Sequence, residues 1–524
     1  MRDFHFPGRS PVLATNGMCA TSHPLAARAA LSILESGGNA MDAAIAGAVL
    51  LGMCEPHMTG IGGDCFALWS RPGDAPRAYN GSGRAPAAAS AESLRDRGLK
   101  TVPLDSPEAV TIPGAIEAFC TLSETEGKIG LDRILAPAIH YADAGVPVAA
   151  RVAHDWPDAG KALQGHGITH FTKGGAPFEQ GDIFRAPGQA EALRRIARDG
   201  ARAFYEGEVA DDLLAALAAL NGVHTADDFA AHTGTPATPV QGQYKGTDII
   251  QHPPNGQGPA AILMLNILSR FDLAALDPMG PERLHLEAEA TKLAYDARNR
   301  IIADPDHTAR LDFMLSNETA ARLADLIDPQ RAMPDAAPLT EAVHRDTVYI
   351  TVVDRDRMAV SLIYSIFHGF GSGIASEKFG ILLQNRGAGF TLTSGHPNEM
   401  QGGKRPMHTI IPGMLGQNGE VTMPFGVMGG AYQPAGHARF ASNLVDFGMD
   451  PQTAIDAPRA FAEGGRLKVE RGYDPATCRA LADLGHEVFV GDDPIGGAQA
   501  ILMRADGVLE GASDPRKDGC ALGY

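Results

Sequence analysis

The sequence predicts a fold that mixes α-helices and β-strands. Three observations favour this class: two strand-like runs between residues 347 and 366, a series of helix-like patterns through the middle of the chain, and a hydrophobic content of 44%, which is enough for a packed core. At 524 residues the chain has the length of roughly two to four average domains, although a single large core is also compatible with it.

The two strand-like runs are the clearest local pattern in the chain. Val, Ile, Tyr and Thr dominate residues 347–353, and apolar residues alternate between two faces. A second run of the same kind covers residues 358–366, after the polar link at residues 355–357. Two such runs joined by a short polar link predict a β-hairpin.

The length of the link predicts which residues of the hairpin face each other. If Asp354 pairs with Met358, stepping back along both strands pairs Thr347 with Ser365, with Cβ atoms about 4.5–5.5 Å apart. Two hydroxyl groups would then meet at the open end of the hairpin. Most hydroxyl residues in strands have no catalytic part, so this pattern alone does not indicate a function.

The N-terminal region begins with a short strand predicted at residues 11–14. Two helices follow, at residues 24–35 and 40–54, because Gly37-Gly38 ends the first and Asn39 is a suitable N-cap for the second.

A glycine cluster at residues 60–63 precedes a strand predicted at residues 65–69. The cluster lacks the Lys-Ser/Thr pair of a phosphate-binding P-loop and the spacing of a dinucleotide-binding motif. A tight turn with close backbone packing is therefore the favoured interpretation.

The middle of the chain is mostly helical. Further helices are predicted at residues 113–126, 131–144, 187–198, 206–220 and 281–300. In the last of them, His285, Glu289 and Lys292 share one face. A metal site is one interpretation, but an ion pair is favoured because no third close ligand is apparent. Residues 302–345, rich in Asp, Pro and Ala, predict an exposed linker.

Residues 425–430 read Phe-Gly-Val-Met-Gly-Gly and lie between a predicted strand and a helix expected near Gly436. Glycines allow the backbone to approach a ligand closely, and N–H groups near a helix start favour an anion. This pattern is compatible with an anion-binding turn but is weak evidence by itself.

Charge and cysteine content exclude several classes of protein. The chain carries 44 basic and 62 acidic residues, a net charge of −18, without a long basic run, so nucleic acid and an anionic membrane surface are not expected partners. The six cysteines show neither disulfide-like nor metal-ligand spacing, and no stretch is long and apolar enough to span a bilayer. Residues 1–7 lack the apolar core of a secretory signal, so the predicted location is the cytoplasm.

Several of these motifs together resemble one family. They are the run that begins at Thr347 and ends in Val-Val-Asp at Asp354, and the segments at residues 37–44, 252–258, 404–412 and 511–516. The chain is similar over nearly its whole length to the gamma-glutamyltransferase family of N-terminal nucleophile hydrolases, which cut themselves immediately before a threonine. The resemblance implies a four-layer αββα sandwich of the α+β class. It also implies self-cleavage between Asp346 and Thr347 into residues 1–346 and 347–524.

The resemblance also implies catalytic roles. Thr347 would be the nucleophile, and its α-amino group, with a pKa of about 7.7–8.0 once it is free, would accept the proton of the hydroxyl. Ser365 stands where the family has a threonine whose hydroxyl supports the nucleophile. The backbone N–H groups of Gly429 and Gly430 would form the oxyanion hole.

The substrate-binding positions depart from those of the transferases. The residues that would hold the glutamyl α-carboxylate and α-amine are replaced, and Phe367 and Gly389 stand at two of these positions. An α-amine without an acidic partner is costly to bury, so strong gamma-glutamyl specificity is not expected. The sequence is instead similar to the family's acylase-like and oxamate-amidohydrolase-like branch.

The residues around these positions predict an anion site. Arg386 can bind a carboxylate with two parallel hydrogen bonds and is the favoured anchor, with His408 and Thr409 beside it. Arg84 would replace the missing arginine of the transferases. Arginines near loops are more often solvated or paired with acids, and that interpretation stays open for both.

The predicted function is that of a self-processing threonine amidohydrolase that cleaves an amide bond of a small carboxylate-bearing substrate through an acyl-enzyme. No metal and no organic cofactor is expected. The expected partners are the amide substrate and the two segments of one precursor, with a homo-oligomer of such heterodimers also compatible. Two alternatives stay open: a genuine gamma-glutamyltransferase or glutathione hydrolase with a rebuilt glutamate clamp, and an uncut, non-catalytic binding protein.

Overall fold

The computed structural model describes residues 8–334 and 347–524, so Asp346 and the expected scissile bond lie outside the described residues. The described residues form nineteen β-strands, which in chain order are β1 (Val12–Ala14), β2 (Met18–Thr21), β3 (Asp64–Ser70), β4 (Arg77–Gly81), β5 (Val146–Pro147), β6 (Ile183–Phe184), β7 (Thr235–Ala237), β8 (Val240–Tyr244), β9 (Thr247–Gln251), β10 (Val348–Val353), β11 (Ala359–Ser365), β12 (Gly413–Gln417), β13 (Glu420–Met428), β14 (Ala460–Glu463), β15 (Arg466–Val469), β16 (Glu487–Val490), β17 (Gly497–Met503), β18 (Leu509–Ser513) and β19 (Cys520–Gly523).

The same described ranges contain eighteen α-helices, which are α1 (Pro24–Glu35), α2 (Ala40–Cys54), α3 (Ala91–Asp96), α4 (Ala115–Glu126), α5 (Leu131–Ala144), α6 (Ala150–Ala159), α7 (His166–Phe171), α8 (Pro187–Asp199), α9 (Arg202–Tyr205), α10 (Glu208–Ala218), α11 (Ala226–Ala230), α12 (Gly258–Leu268), α13 (Pro281–Ile301), α14 (Leu311–Leu315), α15 (Asn317–Ala324), α16 (Gln433–Val445), α17 (Pro451–Asp456) and α18 (Pro475–Asp483).

Two seven-stranded antiparallel sheets form the centre of the molecule. The first sheet has the strand order β19-β2-β10-β11-β3-β4-β7, and the second has the order β1-β18-β17-β13-β12-β9-β8. One hydrophobic cluster joins the first sheet to helices that include α1 and α2, and another joins the second sheet to α12, α13 and α16. A third cluster, which includes Tyr349 and Met428, fills the space between the sheets. The described residues therefore form the four-layer αββα sandwich that the sequence predicts.

The predicted hairpin is confirmed. Strands β10 and β11 pair antiparallel, with Val348 opposite Tyr364, which is the predicted register. One step beyond that pair, Thr347 lies opposite Ser365, and their Oγ atoms are 3.5 Å apart. The polar link therefore has the length that brings the two hydroxyl groups together.

Side chains alternate along β10 and decide which way Thr347 points. Val348, Ile350 and Val352 belong to the cluster on the helix side of the first sheet, whereas Tyr349 lies between the sheets. Because side chains two apart share a face, Thr347 points with Tyr349 into the space between the sheets. The same argument applied to Ile363 places Ser365 there as well.

The carboxylate of Asp354, at the end of the first hairpin strand, connects the hairpin turn to a helix. One carboxylate oxygen accepts a hydrogen bond from the N–H of Met358 at 3.0 Å across the turn, and the other accepts one from the N–H of Ala40 at 2.9 Å. Ala40 is the first residue of α2, where backbone N–H groups have no partner within the helix. Asp354 thereby ties the hairpin turn to a helix from the start of the chain.

The predicted helices agree well with the structure, but the linker prediction is wrong in part. The helices predicted at residues 24–35, 40–54 and 131–144 occur with those bounds, and the others are shifted by at most two residues at each end. Residues 311–324, expected to be an exposed linker, instead contain α14 and α15, and Met314 and Ala320 are buried. These apolar side chains pack into the cluster beside the second sheet. Residues 335–345 of the predicted linker lie outside the described ranges.

None of the helices in the described ranges combines the length and the apolar character needed to cross a bilayer.

Candidate active site

Thr347 and Ser365 lie at the centre of a buried polar group. Thr347 is 1% exposed and Ser365 is fully buried. The Ser365 Oγ accepts hydrogen bonds from the N–H of Phe367 at 2.9 Å and from Nη2 of Arg386 at 3.3 Å. Thr347 Oγ1 also donates to Ser365 Oγ, at 3.5 Å, so the Ser365 hydroxyl joins the Thr347 hydroxyl to the Arg386 guanidinium.

Arg386 is a buried cation whose contacts are unusually poor in negative charge. Its Nη1 donates to Thr409 Oγ1 at 2.9 Å, and its guanidinium lies 4.0 Å from the centre of the Phe367 ring. Its Nε is buried without a hydrogen-bond partner among the described residues. Burial lowers the pKa of Arg386 to about 9, and the charge of Asp64 opposes that shift. The guanidinium therefore keeps hydrogen-bonding capacity and charge that a bound anion could use.

Phe367 adopts an unusual backbone conformation that supports this arrangement. Its φ of 84° lies in the left-handed region, which is rare for a bulky residue. This conformation directs the N–H of Phe367 at Ser365 while the ring packs under Arg386. Strain of this kind concentrates at functional sites, so we treat this turn as part of the site.

Asp64 is a site residue that sequence reasoning missed. It lies directly opposite Ser365 in the ladder between β3 and β11. One of its oxygens accepts hydrogen bonds from the N–H groups of Gly83 and Gly114 at 2.9 and 3.1 Å, and the other lies 3.1 Å from Nε2 of His408. Burial raises the pKa of Asp64, while the nearby Arg386 charge opposes that shift. The acid that follows the glycine cluster at residues 60–63 was the available sequence signal.

His408 is buried and oriented by Asp64. Burial and the Arg386 charge hold the pKa of His408 well below its usual value, so the ring is neutral near pH 7. Its Nδ1 lies 3.4 Å from the N–H of Ile410, which makes Nδ1 the acceptor and Nε2 the donor to Asp64. Asp64 thus contacts His408 directly and acts on Arg386 through its charge.

Gly429 and Gly430 form a turn between β13 and α16. Their φ values of 120° and 55° are accessible to glycine but strained for other residues. The turn precedes a helix start, where N–H groups lack partners within the helix. Near this turn β13 approaches β10 closely, because a Cβ on Gly426 would lie 2.3 Å from Cε2 of Tyr349. Tyr349 follows Thr347 by two residues, so the turn and Thr347 belong to the same end of the stacked sheets.

Gln257 holds this turn to the Arg386 group and was also missed in the sequence. Its Nε2 lies 2.6 Å from the carbonyl oxygen of Thr409 and 2.9 Å from that of Gly430. Its Oε1 accepts a hydrogen bond from Arg298 at 2.6 Å. The loop that enters α12 therefore fixes two predicted site elements relative to each other.

Arg84 lies apart from these contacts. Its side chain is 38% exposed, and its Nη1 lies 3.0 Å from the carbonyl oxygen of Gly403 and 3.5 Å from Asp304. Among the described residues, the side-chain hydrogen bonds of Arg84 go to Gly403 and Asp304, and not to Ser365 or Arg386. Its role in substrate binding stays a prediction.

A cavity of about 60 Å³ borders Gly429. Its lining includes three cationic side chains, Arg151, Lys468 and Lys517, and one acid, Glu463. Lys517 is 6% exposed, and its Nζ lies 3.6 Å from Met58 Sδ, which is a weak acceptor. The lining is therefore positively charged on balance. Among the described residues, His285, Glu289 and His486 form a cluster of side chains that could hold a metal ion. None of the three lines the cavity beside Gly429.

Two stacked antiparallel sheets between helix layers, with a threonine at the head of a central strand, define the class of N-terminal nucleophile hydrolases. Comparison with known proteins identifies the family. The family model described as Gamma-glutamyltranspeptidase matches residues 26–524, and the chain belongs to that family.

The relatives of the chain cover its whole length. It is 36% identical to the glutathione hydrolase-like YwrD proenzyme of Bacillus subtilis and 35% identical to the oxamate amidohydrolase proenzyme of Klebsiella pneumoniae, in each case over 98% of this chain and 99% of the relative. A crystal structure of cephalosporin acylase from Bacillus halodurans superimposes with a TM-score of 0.93 at 37% identity, covering 100% of this chain and 99% of that one. The predicted family, fold and enzyme class are confirmed: the chain is a hydrolase of the amidohydrolase and acylase type.

Proposed function

We propose that this protein matures by cutting itself between Asp346 and Thr347 and then hydrolyses the amide bond of a small carboxylate-bearing substrate. The observation that carries the proposal is the meeting of Thr347, Ser365 and Arg386 at one end of the hairpin. A hydroxyl nucleophile, a supporting hydroxyl and a cation whose hydrogen bonds go to hydroxyl groups are the groups that this reaction needs. The proenzyme names of the two relatives support the maturation step.

The maturation step follows from the chemistry of threonine. The Thr347 hydroxyl attacks the carbonyl of Asp346, an ester forms at Thr347 Oγ1, and the peptide nitrogen leaves as an amine that takes up the hydroxyl proton. Water then hydrolyses the ester, which restores the hydroxyl and gives residue 346 a free carboxylate. The division into residues 1–346 and 347–524 is part of this proposal.

Catalysis would reuse the same atoms on a substrate. The free α-amino group of Thr347 takes the proton from Oγ1, which attacks the substrate carbonyl, and the same proton passes to the departing amine. The N–H groups of Gly429 and Gly430 stabilise the oxyanion, and the Ser365 hydroxyl, which accepts a hydrogen bond from Thr347 Oγ1, orients the nucleophile. Water hydrolyses the resulting acyl-enzyme. None of these reaction steps uses a metal or an organic cofactor.

The substrate would carry a negative charge because the site is positively charged. Arg386 binds the carboxylate, while Thr409, Ser365 and the Phe367 ring keep the guanidinium in place. The cationic lining of the cavity beside Gly429, above all Lys517, offers a second anchor for the same charge. Arg84 would contribute only after its guanidinium leaves Gly403.

The first experiment is intact mass spectrometry of the purified protein under denaturing conditions. We expect two fragments that meet at Asp346 and Thr347 in the natural sequence, slower formation of the same fragments in Thr347→Ser, and one uncut mass in Thr347→Ala. Thr347→Ser is the matched control because it retains a hydroxyl at this position. A single uncut mass for the natural sequence would contradict the proposal and favour the uncut binding protein.

The second experiment compares three amides by release of ammonia or amine: oxamate, a gamma-glutamyl anilide, and a neutral amide of similar size. We expect turnover of a small carboxylate-bearing amide and little turnover of the neutral one. The name of the Bacillus subtilis relative, glutathione hydrolase-like, favours the gamma-glutamyl substrate as the second candidate. Robust gamma-glutamyl anilide turnover would show that the glutamate clamp has been rebuilt. Cytoplasmic location and a homo-oligomer stay predictions.

A further inference from the structure

Helix α13 places two metal-ligand side chains on one buried face, and the later part of the chain adds a third. His285 and Glu289, 1% and 0% exposed, lie one turn apart on α13, and His486, 7% exposed, lies between α18 and β16. Nδ1 of His285 and Nε2 of His486 are 2.8 Å apart, and one ligand atom from each of the three residues lies within 4.8 Å of the others. This third ligand is the one that the sequence did not reveal.

We propose that His285, Glu289 and His486 form a binding site for a divalent transition-metal ion of the Zn²⁺ type. Zn²⁺ takes imidazole nitrogens and carboxylate oxygens at about 2.0–2.2 Å, usually in tetrahedral geometry. Three protein ligands leave the fourth position to water. The ligand atoms already lie within 4.8 Å of one another. Small shifts of the three side chains are therefore enough to place them around a tetrahedral ion.

The hydrogen bonds around the three ligands hold them in the orientation that a metal needs. Nε2 of His285 donates to the carbonyl oxygen of Asp328 at 2.8 Å, so Nδ1 carries a lone pair that faces His486. The Glu289 Oε2 accepts a hydrogen bond from the N–H of Met333 at 2.8 Å. Outer hydrogen bonds of this kind, from an imidazole N–H to a backbone carbonyl, typically orient metal ligands.

Lys292 gives the proposed site a built-in competitor. Its Nζ lies 2.7 Å from Glu289 Oε1 and 2.8 Å from the carbonyl oxygen of Met333, so the ammonium neutralises Glu289 when no metal is bound. An incoming ion takes over the carboxylate, and the ammonium keeps Met333 as its acceptor. Metal binding also requires a change of tautomer in His486: the proton that Nε2 shares with His285 Nδ1 moves to Nδ1 of His486 by exchange with solvent, and both facing lone pairs are then available to the metal.

The ligands come from both sides of the expected cut. His285 and Glu289 belong to residues 1–346, and His486 belongs to residues 347–524. A bound ion would join these segments by coordination, and Glu289 would also hold the chain at Met333, shortly before the cut. This consequence rests on the proposed function, whereas metal binding itself does not.

The test is a Zn²⁺ titration of the full-length protein after treatment with a chelator, with a chromophoric competitor to report affinity. We expect one Zn²⁺ per chain, a loss of affinity of about 100-fold in His486→Gln, and a gain of about 10-fold in Lys292→Met, because the competing positive charge is removed. His154→Gln is the matched control, since His154 is 62% exposed on the surface, and its affinity should equal that of the natural sequence.

Two results would overturn the site: no Zn²⁺ uptake by the natural sequence, or equal affinity in His486→Gln. Lys292→Met keeps the test decisive if His486→Gln fails to fold, because unchanged or weaker binding in Lys292→Met would contradict the competition. Titration of the uncut Thr347→Ala variant separates this proposal from the maturation step. That variant should bind Zn²⁺ whether or not the natural protein cuts itself.

Discussion

Arg386 and Arg516 are two arginines in the interior of one protein with opposite surroundings. Arg516, with 11% of its side chain exposed, uses all five N–H donors: two bind Glu470 at 2.8 and 2.6 Å, one binds Asp514 at 3.2 Å, and two bind the carbonyl oxygens of Ile455 and Ala457. Arg386, fully buried, has two hydroxyl acceptors and an aromatic ring among the described residues.

The pKa values of the two arginines move in opposite directions, because burial lowers both and the neighbouring carboxylates differ. Burial lowers the pKa of Arg386 to about 9, because Asp64 compensates only in part. Burial acts in the same direction on Arg516, but Asp514 and Glu470 outweigh it and raise its pKa. An arginine whose five N–H donors all have acceptors, such as Arg516, stabilises the fold. An arginine with an unpaired N–H donor beside a nucleophile, such as Arg386, is suited to bind a ligand.

The largest effect that follows from this comparison is on stability. Arg516→Met should lower the free energy of unfolding by about 3–5 kcal/mol, because Glu470 and Asp514 lose a shared buried partner. Urea denaturation followed by circular dichroism measures this change. Arg516→Lys is the control, since it keeps the charge but loses the paired geometry with Glu470. A loss below 1 kcal/mol would show that the cluster around Arg516 is not structural.

Arg386→Met should affect activity far more than stability. We expect kcat/KM for a carboxylate-bearing amide to fall about 100-fold, or about 2.7 kcal/mol. The free energy of unfolding should change less than in Arg516→Met, because Asp64 loses a nearby charge but keeps its hydrogen bonds to Gly83, Gly114 and His408. The measurement compares kcat/KM for the charged amide with that for its uncharged ester. Equal losses for both would mean that Arg386 acts on Ser365 and not on the substrate. A larger charge-selective loss in Lys517→Met would move the anchor to the cavity beside Gly429.

Acid should weaken the cluster around Arg516 in a defined pH range. Burial alone would raise the pKa values of Asp514 and Glu470, but the neighbouring arginines hold both below their usual values. The unfolded chain therefore binds more protons, and stability present above pH about 4 is lost as the pH falls through the lowered pKa values, by up to about 1.4 kcal/mol per pH unit for each group. Unfolding measured from pH 6 to pH 2 should show this slope, and Arg516→Met should flatten it. An equal slope in both proteins would contradict the assignment.

The smallest expected effect concerns Ser365. Ser365→Ala should slow self-cleavage by about 5-fold, because one hydrogen bond to the nucleophile is worth about 1 kcal/mol. Ser365→Thr keeps the hydroxyl that the family has at this position and should cleave at nearly the natural rate. A time course of intact masses after synthesis measures both variants. A natural rate in Ser365→Ala would remove Ser365 from the mechanism.

Local sequence predicted much of the fold because the relevant interactions lie close together in the chain. The bounds of α1 and α2 follow from Gly37, Asn39 and the residues around them, and the hairpin register follows from a three-residue link. The linker prediction was partly wrong because composition gave no indication that Met314 and Ala320 would find a buried surface. Of the predicted substrate residues, Arg386 and Thr409 contact each other, whereas Arg84 contacts Gly403. Their roles in substrate binding stay predictions.

By itself the sequence determined helices such as α1, α2 and α5, the hairpin that joins Thr347 to Ser365, and the family to which the chain belongs. Only the tertiary structure decided that Asp64 stands opposite Ser365 and that His486 reaches His285. These contacts join residues that are hundreds of positions apart in the chain. Their formation depends on the order of strands in the sheets and on the packing of the helix layers, which no local pattern of residues specifies.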